Sequence, residues 1–201
     1  MPGWFGPSRE EIWRQLSGEI SARYVDGGFR TGDKVEAAHG DWTVTLDTYA
    51  VHTNHATISY TRMRAPYLNP DGFRFTIHRR NILTDVAVWL GMQDIHVHDE
   101  AFDRDFVIKG NNEAKVRELL ADGRLRSLIA SQPDLRLTVK DDDGAFRQRY
   151  PEGVDVLHFH TRGVIKDIGR LKQLFELFAV TLDRLCHIGS AYRAAVPIQP
   201  K

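Results

Sequence analysis

The sequence predicts an α+β fold, in which antiparallel strands pack against helices at both ends and in the middle of the chain. Apolar residues recur at helical spacing near the N-terminus and over a long stretch near the C-terminus. Between these stretches the apolar period changes to two, and short turns join successive strands, which favours antiparallel pairing. We therefore expect an antiparallel sheet packed against an N-terminal helix, a central helical pair and a long C-terminal amphipathic helix.

The first helix is predicted from a capping-box pattern. Ser8 is followed three positions later by Glu11, the spacing at which the two side chains satisfy backbone N–H groups of the first helical turn. The apolar residues that follow at helical spacing are Ile12, Trp13, Leu16 and Ile20. The pattern predicts a helix over residues 8–24, which the sequence DGG at Asp26 to Gly28 ends.

Three strands are predicted between residues 42 and 80, in the segments WTVTLDTY, HATISYTRMR and FRFTIHRR. The loop APYLNPDG, which contains Pro and Gly, joins the last two segments and predicts a hairpin. The next segment, NILTDVAVWLGM, is compatible with a helix or a buried strand, and we favour the helix. DIHVH and DFVIK are predicted to be short strands on either side of an acidic turn.

The second half of the chain combines short helices, strands and one long helix. Asn111 or Asn112 is predicted to cap a helix that begins near Glu113, and a second short helix follows Gly123. The segments LRLTV and VDVLHFHT are predicted strands. The longest helix is predicted over residues 166–192, with a wide apolar stripe that is typical of a helix packed across a sheet.

Composition bounds the class of protein. The 201 residues fit one domain, which we place at residues 1–201 with residues 194–201 as a loose tail. The 27 basic and 27 acidic residues give a formal net charge of zero, which argues against a dedicated binder of nucleic acids or acidic membranes. The single cysteine, Cys186, excludes an internal disulfide, and we interpret it as a buried inert thiol.

The location of the protein is predicted from the same features. The first residues lack the basic start and apolar core of a secretion signal, and no uncharged apolar run approaches the roughly 20 residues of a membrane helix. Together with the cysteine content, this predicts a cytoplasmic protein without a membrane partner.

Several segments resemble a family of bacterial proteins of unknown function. These segments are GWFGPSREEIW, YTRMRAP, GFRFTI, GMQDI, FDRDFVIKGN and LFELFAVTLDRL, of which FDRDFVIKGN is the most specific. The resemblance covers nearly the whole chain and implies a soluble, single-domain bacterial protein. It assigns no catalytic or binding residue.

Two His-x-His pairs are the candidate metal ligands. His96 and His98 lie in DIHVH, and His158 and His160 lie in LHFHT. Residues two apart on a strand point to the same side, so each pair can present both imidazoles to one ion. If the two strands were neighbours, four imidazoles could converge on a metal such as zinc. The alternative is an amphipathic strand, because apolar residues alternate with the histidines in both segments. We favour that alternative, and we expect no cofactor.

The candidate binding residues form a basic segment. They are Arg62, Arg64, Arg74, His78 and Arg80, with Arg79 and several aromatic residues between them. Arginine and exposed aromatic residues on a sheet can bind single-stranded nucleic acid. Strand alternation, however, does not place these arginines in one stripe, and the acidic stretch at 94–105 supplies opposite charge. We favour a solvated surface that is balanced within the chain.

A third candidate is the sequence KGNNEAKV, in which a Gly-Asn turn leads into a helix N-terminus that can bind an anion. Plain helix capping explains the same residues, and the spacing of a P-loop is absent. No recognisable catalytic set occurs in the sequence. We therefore predict a non-enzymatic binding or interaction module, whose partner is another protein or a second copy. The alternatives are a metal-binding protein or metal-dependent hydrolase, and a single-stranded nucleic-acid binder.

Overall fold

The computed structural model describes residues 6–28, 32–53, 56–80, 94–141 and 150–196, and these residues contain five helices and eight strands. The helices are α1 Arg9–Glu19, α2 Glu100–Asp105, α3 Glu113–Leu120, α4 Gly123–Ala130 and α5 Ile168–His187. The strands are β1 Arg23–Val25, β2 Lys34–His39, β3 Trp42–His52, β4 Thr57–Leu68, β5 Phe75–Arg79, β6 Phe106–Gly110, β7 Arg136–Lys140 and β8 Val154–Arg162.

All eight strands belong to one antiparallel sheet with the order β1-β2-β3-β4-β8-β7-β5-β6. The central strand β4 pairs with β3 on one side and β8 on the other. β8 lies between β4 and β7, so it connects the strands β1 to β4 on one side of the sheet with β7, β5 and β6 on the other. The α+β class predicted from the sequence is confirmed.

The two faces of the sheet have different environments. Leu46 on β3, Met63 on β4 and Phe159 on β8 lie side by side and are fully buried in the main hydrophobic core. Apolar residues of α1, α3, α4 and α5 join the same core, so these helices lie on this face. We call the opposite face the outer face. Its residues alternate with the core residues along every strand.

The N-terminal helix begins at the predicted cap, and the predicted long C-terminal helix is also present. Ser8 and Glu11 form the predicted capping box, and the helix that they start ends at Glu19. The rest of the segment predicted to be helical contains β1, which the sequence patterns did not indicate. Asp167 caps α5, which is the predicted long helix shortened to residues 168–187. The central pair α3 and α4 is also confirmed, with Asn112 as the first cap.

The predicted hairpin between HATISYTRMR and FRFTIHRR is wrong. β4 continues through the predicted loop to Leu68, because Ala65 and Tyr67 extend its buried face. The pairing of β3 with β4 ends at Arg64, so Pro66 lies where β4 pairs with β8 alone. A proline, which has no N–H to donate, is tolerated at such an edge position. β5 pairs instead with β6 and β7, far from β4 in the strand order.

The prediction of a strand at DIHVH is also wrong, although DFVIK forms β6. Ile95 donates one backbone hydrogen bond to the carbonyl of Ile108 in β6 (2.9 Å), and no regular pairing follows. His98 adopts a left-handed backbone conformation, with φ of 62°, which breaks the extended chain. The predicted helix at NILTDVAVWLGM lies outside the described residues, as does most of the predicted tail.

Gly110 in the segment FDRDFVIKGN is required by close packing. A Cβ atom at this position lies 2.6 Å from Cγ2 of the buried Val116 and 3.2 Å from the carbonyl oxygen of Arg74. We expect Gly110→Ala to lower the free energy of unfolding by about 2 kcal/mol, because the cost of overpacking exceeds the gain from a stiffer unfolded chain. Urea denaturation measures this change.

Gly18→Ala is the matched control for this prediction. Gly18 lies within α1, and an added Cβ atom meets nothing within 4 Å. The same substitution is expected to stabilise the protein there by up to about 1 kcal/mol, since alanine favours a helix. Equal effects of the two substitutions would contradict the packing argument.

Candidate functional site

Arg62 and Arg64 lie next to each other on the outer face and share one carboxylate. Arg62 donates two hydrogen bonds to the carboxylate of Asp47 (2.8 and 2.7 Å), and Arg64 donates one (2.7 Å). Their side chains are only 8% and 14% exposed, and that of Asp47 is 14% exposed. The cross-strand register explains the contact, because Asp47 on β3 lies directly opposite Arg62 on β4. These two arginines are part of the internal structure of the sheet.

The remaining residues of the basic segment lie in other places. Arg74 donates to the buried carboxylate of Asp155 (3.0 Å) and to Asp141 (3.1 Å). Arg80 donates to backbone carbonyls at the end of α2, and Arg79 does so at the end of α4. His78 is buried on the outer face of β5.

The prediction of a surface balanced within the chain is therefore correct in part. The arginines have internal partners, but these partners include Asp47, Asp141 and Asp155 and not the side chains of the acidic stretch at 94–105. The burial of Arg62 also contradicts a solvated surface at that position.

The two His-x-His pairs lie in different parts of the molecule. His158 and His160 are neighbours on the outer face of β8, with ring centroids 5.2 Å apart. His96 and His98 are exposed beyond β6, so β7, β5 and β6 separate the two pairs by roughly 19 Å at normal strand spacing. Among the described residues, no group of three or more His, Cys, Asp or Glu side chains is arranged to hold a metal ion.

The predicted orientation of the histidines is correct, since Ile95, Leu157 and Phe159 are buried in the core and the histidines point away from it. His96 and His98 are exposed to solvent, as expected for the polar side of an amphipathic segment. The same expectation of exposure is wrong for His158, which is only 5% exposed.

One part of the outer face combines aromatic rings with cations, and we call it the outer strip. Its residues, taken from four adjacent strands, are Tyr49 on β3, Tyr60 on β4, His158 and His160 on β8, and Arg136 on β7. The tyrosine rings stack at 5.0 Å, and the ring of Tyr60 lies 6.1 Å from that of His160.

Burial, together with nearby positive charges, keeps the histidines of the outer strip neutral. Burial lowers the pKa of His160 to about 4, and the positive charges of Arg136, Lys140 and Arg62 add to this effect. Burial also lowers the pKa of His158 well below its ordinary value, helped by Lys140 and by the neighbouring cations. Burial raises the pKa of the Tyr49 hydroxyl. At neutral pH the two imidazoles and the Tyr49 hydroxyl therefore act as uncharged hydrogen-bonding groups.

The Tyr49 hydroxyl lies 3.4 Å from Nδ1 of His160. If this hydroxyl donates to Nδ1, the ring proton of His160 is on Nε2, which is then a donor to a ligand. The strip thus offers neutral donors beside the guanidinium group of Arg136.

The lowered pKa of His160 leads to a prediction of how the free energy of unfolding depends on pH. In the unfolded chain, histidine takes up a proton near pH 6.5, whereas His160 in the folded protein does so near pH 4. Between these values the unfolded state binds more protons, so the free energy of unfolding falls as the pH is lowered from about 6.5 to 4. The contribution of His160 to this fall is about 3 kcal/mol.

His160→Gln cannot titrate, so we expect its pH profile to be flatter than that of the wild type. Urea denaturation at several pH values measures both profiles. His187→Gln, at an exposed position on α5, serves as the control and is expected to follow the wild type. Parallel profiles for wild type and His160→Gln would contradict the environment described for His160.

Sequence reasoning did not identify Asp47, Tyr49 or Arg136. The alternation of WTVTLDTY did place Asp47 and Tyr49 opposite the core residue Leu46. The missing information was the strand order, because only the pairing of β4 with β3 and β8 brings these residues to Arg62 and His160.

The fold was compared with known proteins. No family model matches the chain, and no curated protein matches it, so the resemblance to a bacterial family stays a prediction. A similar solved structure is the crystal structure of the mycobacterial trehalose monomycolate transport factor A, with a TM-score of 0.50 and 7% sequence identity. The similarity covers 96% of this chain and 98% of that one. At this identity, the likeness extends to the fold alone.

The helices of the described part of the chain were also compared with the length and hydrophobicity that a bilayer requires. None of them is long and apolar enough to span a membrane.

Proposed function

We propose that the protein is a non-enzymatic binding module and that the outer strip is its ligand-binding surface. The observation on which this proposal rests is that polar side chains from four adjacent strands lie close together on one face of the sheet. Tyr49, Tyr60, His160 and Arg136 are each partly exposed there, while the helices cover the other face. A partly exposed row of hydrogen-bonding groups fixed on a sheet is suited to recognition, because its geometry is set before a ligand arrives.

The packing around the strip supports this proposal. The neighbouring outer-face residues Pro66, Val154 and Val156 are buried but do not belong to the main core. Tyr49, Arg62, Arg64 and Lys140 make contacts beyond those described above. The strip therefore lies at the border between a covered and an exposed part of the outer face. Binding sites are typically placed in such partly enclosed regions.

The two alternative functions draw less support from these contacts. A four-histidine metal site requires the two pairs to converge, and β7, β5 and β6 lie between them. Nucleic-acid binding through the basic segment requires free cations and free ring faces at that segment. Arg62 and Arg64 instead hold Asp47, and the rings of Tyr49 and Tyr60 stack on each other. The solved transport factor shares the fold, and we transfer no ligand from it.

The test is a thermal-shift screen of the purified protein against ligand classes. The classes are inorganic oxyanions, nucleotides, sugars, acidic peptides, a single-stranded oligonucleotide and divalent metal ions. A ligand that binds only the folded state raises the melting temperature. We expect at least one class other than metals and oligonucleotides to stabilise the wild type and to lose this effect in Tyr60→Ala with Arg136→Ala.

The control variant is Arg104→Ala with Arg124→Ala, which removes exposed cations from α2 and α4. It is expected to respond like the wild type. A screen without any hit, or hits that the strip variant keeps, would overturn the proposed function. Stabilisation by a metal ion or an oligonucleotide alone would support the corresponding alternative.

A further inference from the structure

Two arginines, Arg136 and Arg162, lie at the end of the outer strip near His160. Arg162 ends β8 two residues after His160, so strand alternation places both side chains on the outer face. Arg136 on β7 extends the register in which Leu137 pairs with Phe159, which places it beside His160.

These cations have no counter-charge in the described part of the chain. Neither Arg136 nor Arg162 forms a salt bridge or a side-chain hydrogen bond there, and Arg162 is exposed. The nearby carboxylate of Asp134 accepts hydrogen bonds from Thr161 and Arg170, on the core side of the sheet. Asp47, the carboxylate of the outer face near the strip, is shared by Arg62 and Arg64.

We infer that Arg136, His160 and Arg162 form a seat for an oxyanion of the phosphate or sulfate type. This inference rests on the proposed function and names the chemical class of its ligand. Two guanidinium groups on neighbouring strands can each donate paired N–H groups to such an oxyanion, and charge-assisted bonds of this kind are short and strong. If the Tyr49 hydroxyl donates to Nδ1 of His160, the Nε2–H of that ring supplies a third, neutral donor between them.

A tetrahedral oxyanion fits this seat better than a flat ring does. Diagonal neighbours on adjacent strands have Cβ atoms about 7 Å apart, a distance that long arginine side chains can close around a small anion.

The test uses inorganic phosphate and sulfate as probes, titrated into the full chain and followed by nuclear magnetic resonance. Titrations with chloride at equal ionic strength correct for general screening. A phosphomonoester and a glutamate-rich peptide form two further arms. They distinguish a phosphate group on a small molecule from the carboxylates of a protein partner.

We expect phosphate or sulfate to shift the signals of residues 136, 160 and 162 in a saturable way that chloride does not reproduce. Arg136→Gln with Arg162→Gln is expected to weaken binding by at least about tenfold, as the loss of charged hydrogen bonds predicts. Arg104→Gln with Arg124→Gln removes the same net charge elsewhere and is expected to leave the affinity unchanged.

Three results would overturn the inference. They are equal effects of chloride and phosphate, equal affinities of the two double variants, and binding of the glutamate-rich peptide alone. Binding of a sugar or another uncharged ligand by the strip would leave the proposed function standing while the oxyanion seat fails. The two proposals are therefore separable.

Discussion

Asp47→Asn is expected to lower the free energy of unfolding by about 3 kcal/mol, because it leaves two arginines on the sheet without their shared carboxylate. Asp47 accepts hydrogen bonds from Arg62 and Arg64, and the three side chains are at most 14% exposed. Asparagine has nearly the same shape, so the loss comes from the charge and not from packing. Urea denaturation gives the value.

The control for this prediction is Asp41→Asn, at an exposed carboxylate in the turn between β2 and β3. Its effect is expected to stay within about 0.5 kcal/mol. The effect of Asp47→Asn should also persist in concentrated salt, because ions screen partly buried charges poorly. A loss below about 1 kcal/mol that disappears in salt would mean that the cluster behaves as a surface ion pair.

Phe178→Ala is expected to lower the free energy of unfolding by about 3 to 5 kcal/mol. Phe178 lies on the buried face of α5 and is fully enclosed in the core that this helix shares with β4 and β8. Truncation to alanine removes the burial of an aromatic ring and leaves a cavity that the sheet is too rigid to fill. Denaturant unfolding, with equal slopes for variant and wild type, measures the loss.

Gln173→Ala tests whether position on the helix matters, since Gln173 is exposed on the same helix. It is expected to change the free energy of unfolding by no more than about 0.5 kcal/mol. Similar small losses for both variants would show that α5 contributes little to the core, contrary to the burial observed.

Local features of the fold were predictable where the responsible residues are close in sequence. Ser8 and Glu11 form their capping box within four residues, and Asn112 caps α3 through the N–H of Lys115. The alternation along β3 and β8 correctly separated Leu46 and Phe159 from their polar neighbours. These patterns depend on geometry that repeats every two or every 3.6 residues, so neighbouring residues are sufficient to reveal them.

The errors arose where a local pattern has two solutions. Pro66 and the DG pair at Asp71 and Gly72 favour turns, yet the strand continues through Pro66 because Ala65 and Tyr67 find a place in the core. The alternation of DIHVH correctly predicted the burial of Ile95, but alternation does not require a neighbouring strand to complete the hydrogen bonds. Tertiary packing overrides propensity in both places.

The sequence by itself determined the α+β class, the long C-terminal helix and the side of β8 on which His158 and His160 lie. The tertiary structure alone decided that β8 lies between β4 and β7. That placement joins Tyr60 to His160 and Arg136, and it separates His96 from His158. The physical reason is that strand order depends on contacts between residues far apart in the chain, such as Arg62 and His160. Such contacts produce no periodic pattern in a single sequence, because the alternation within one strand is compatible with several neighbouring strands.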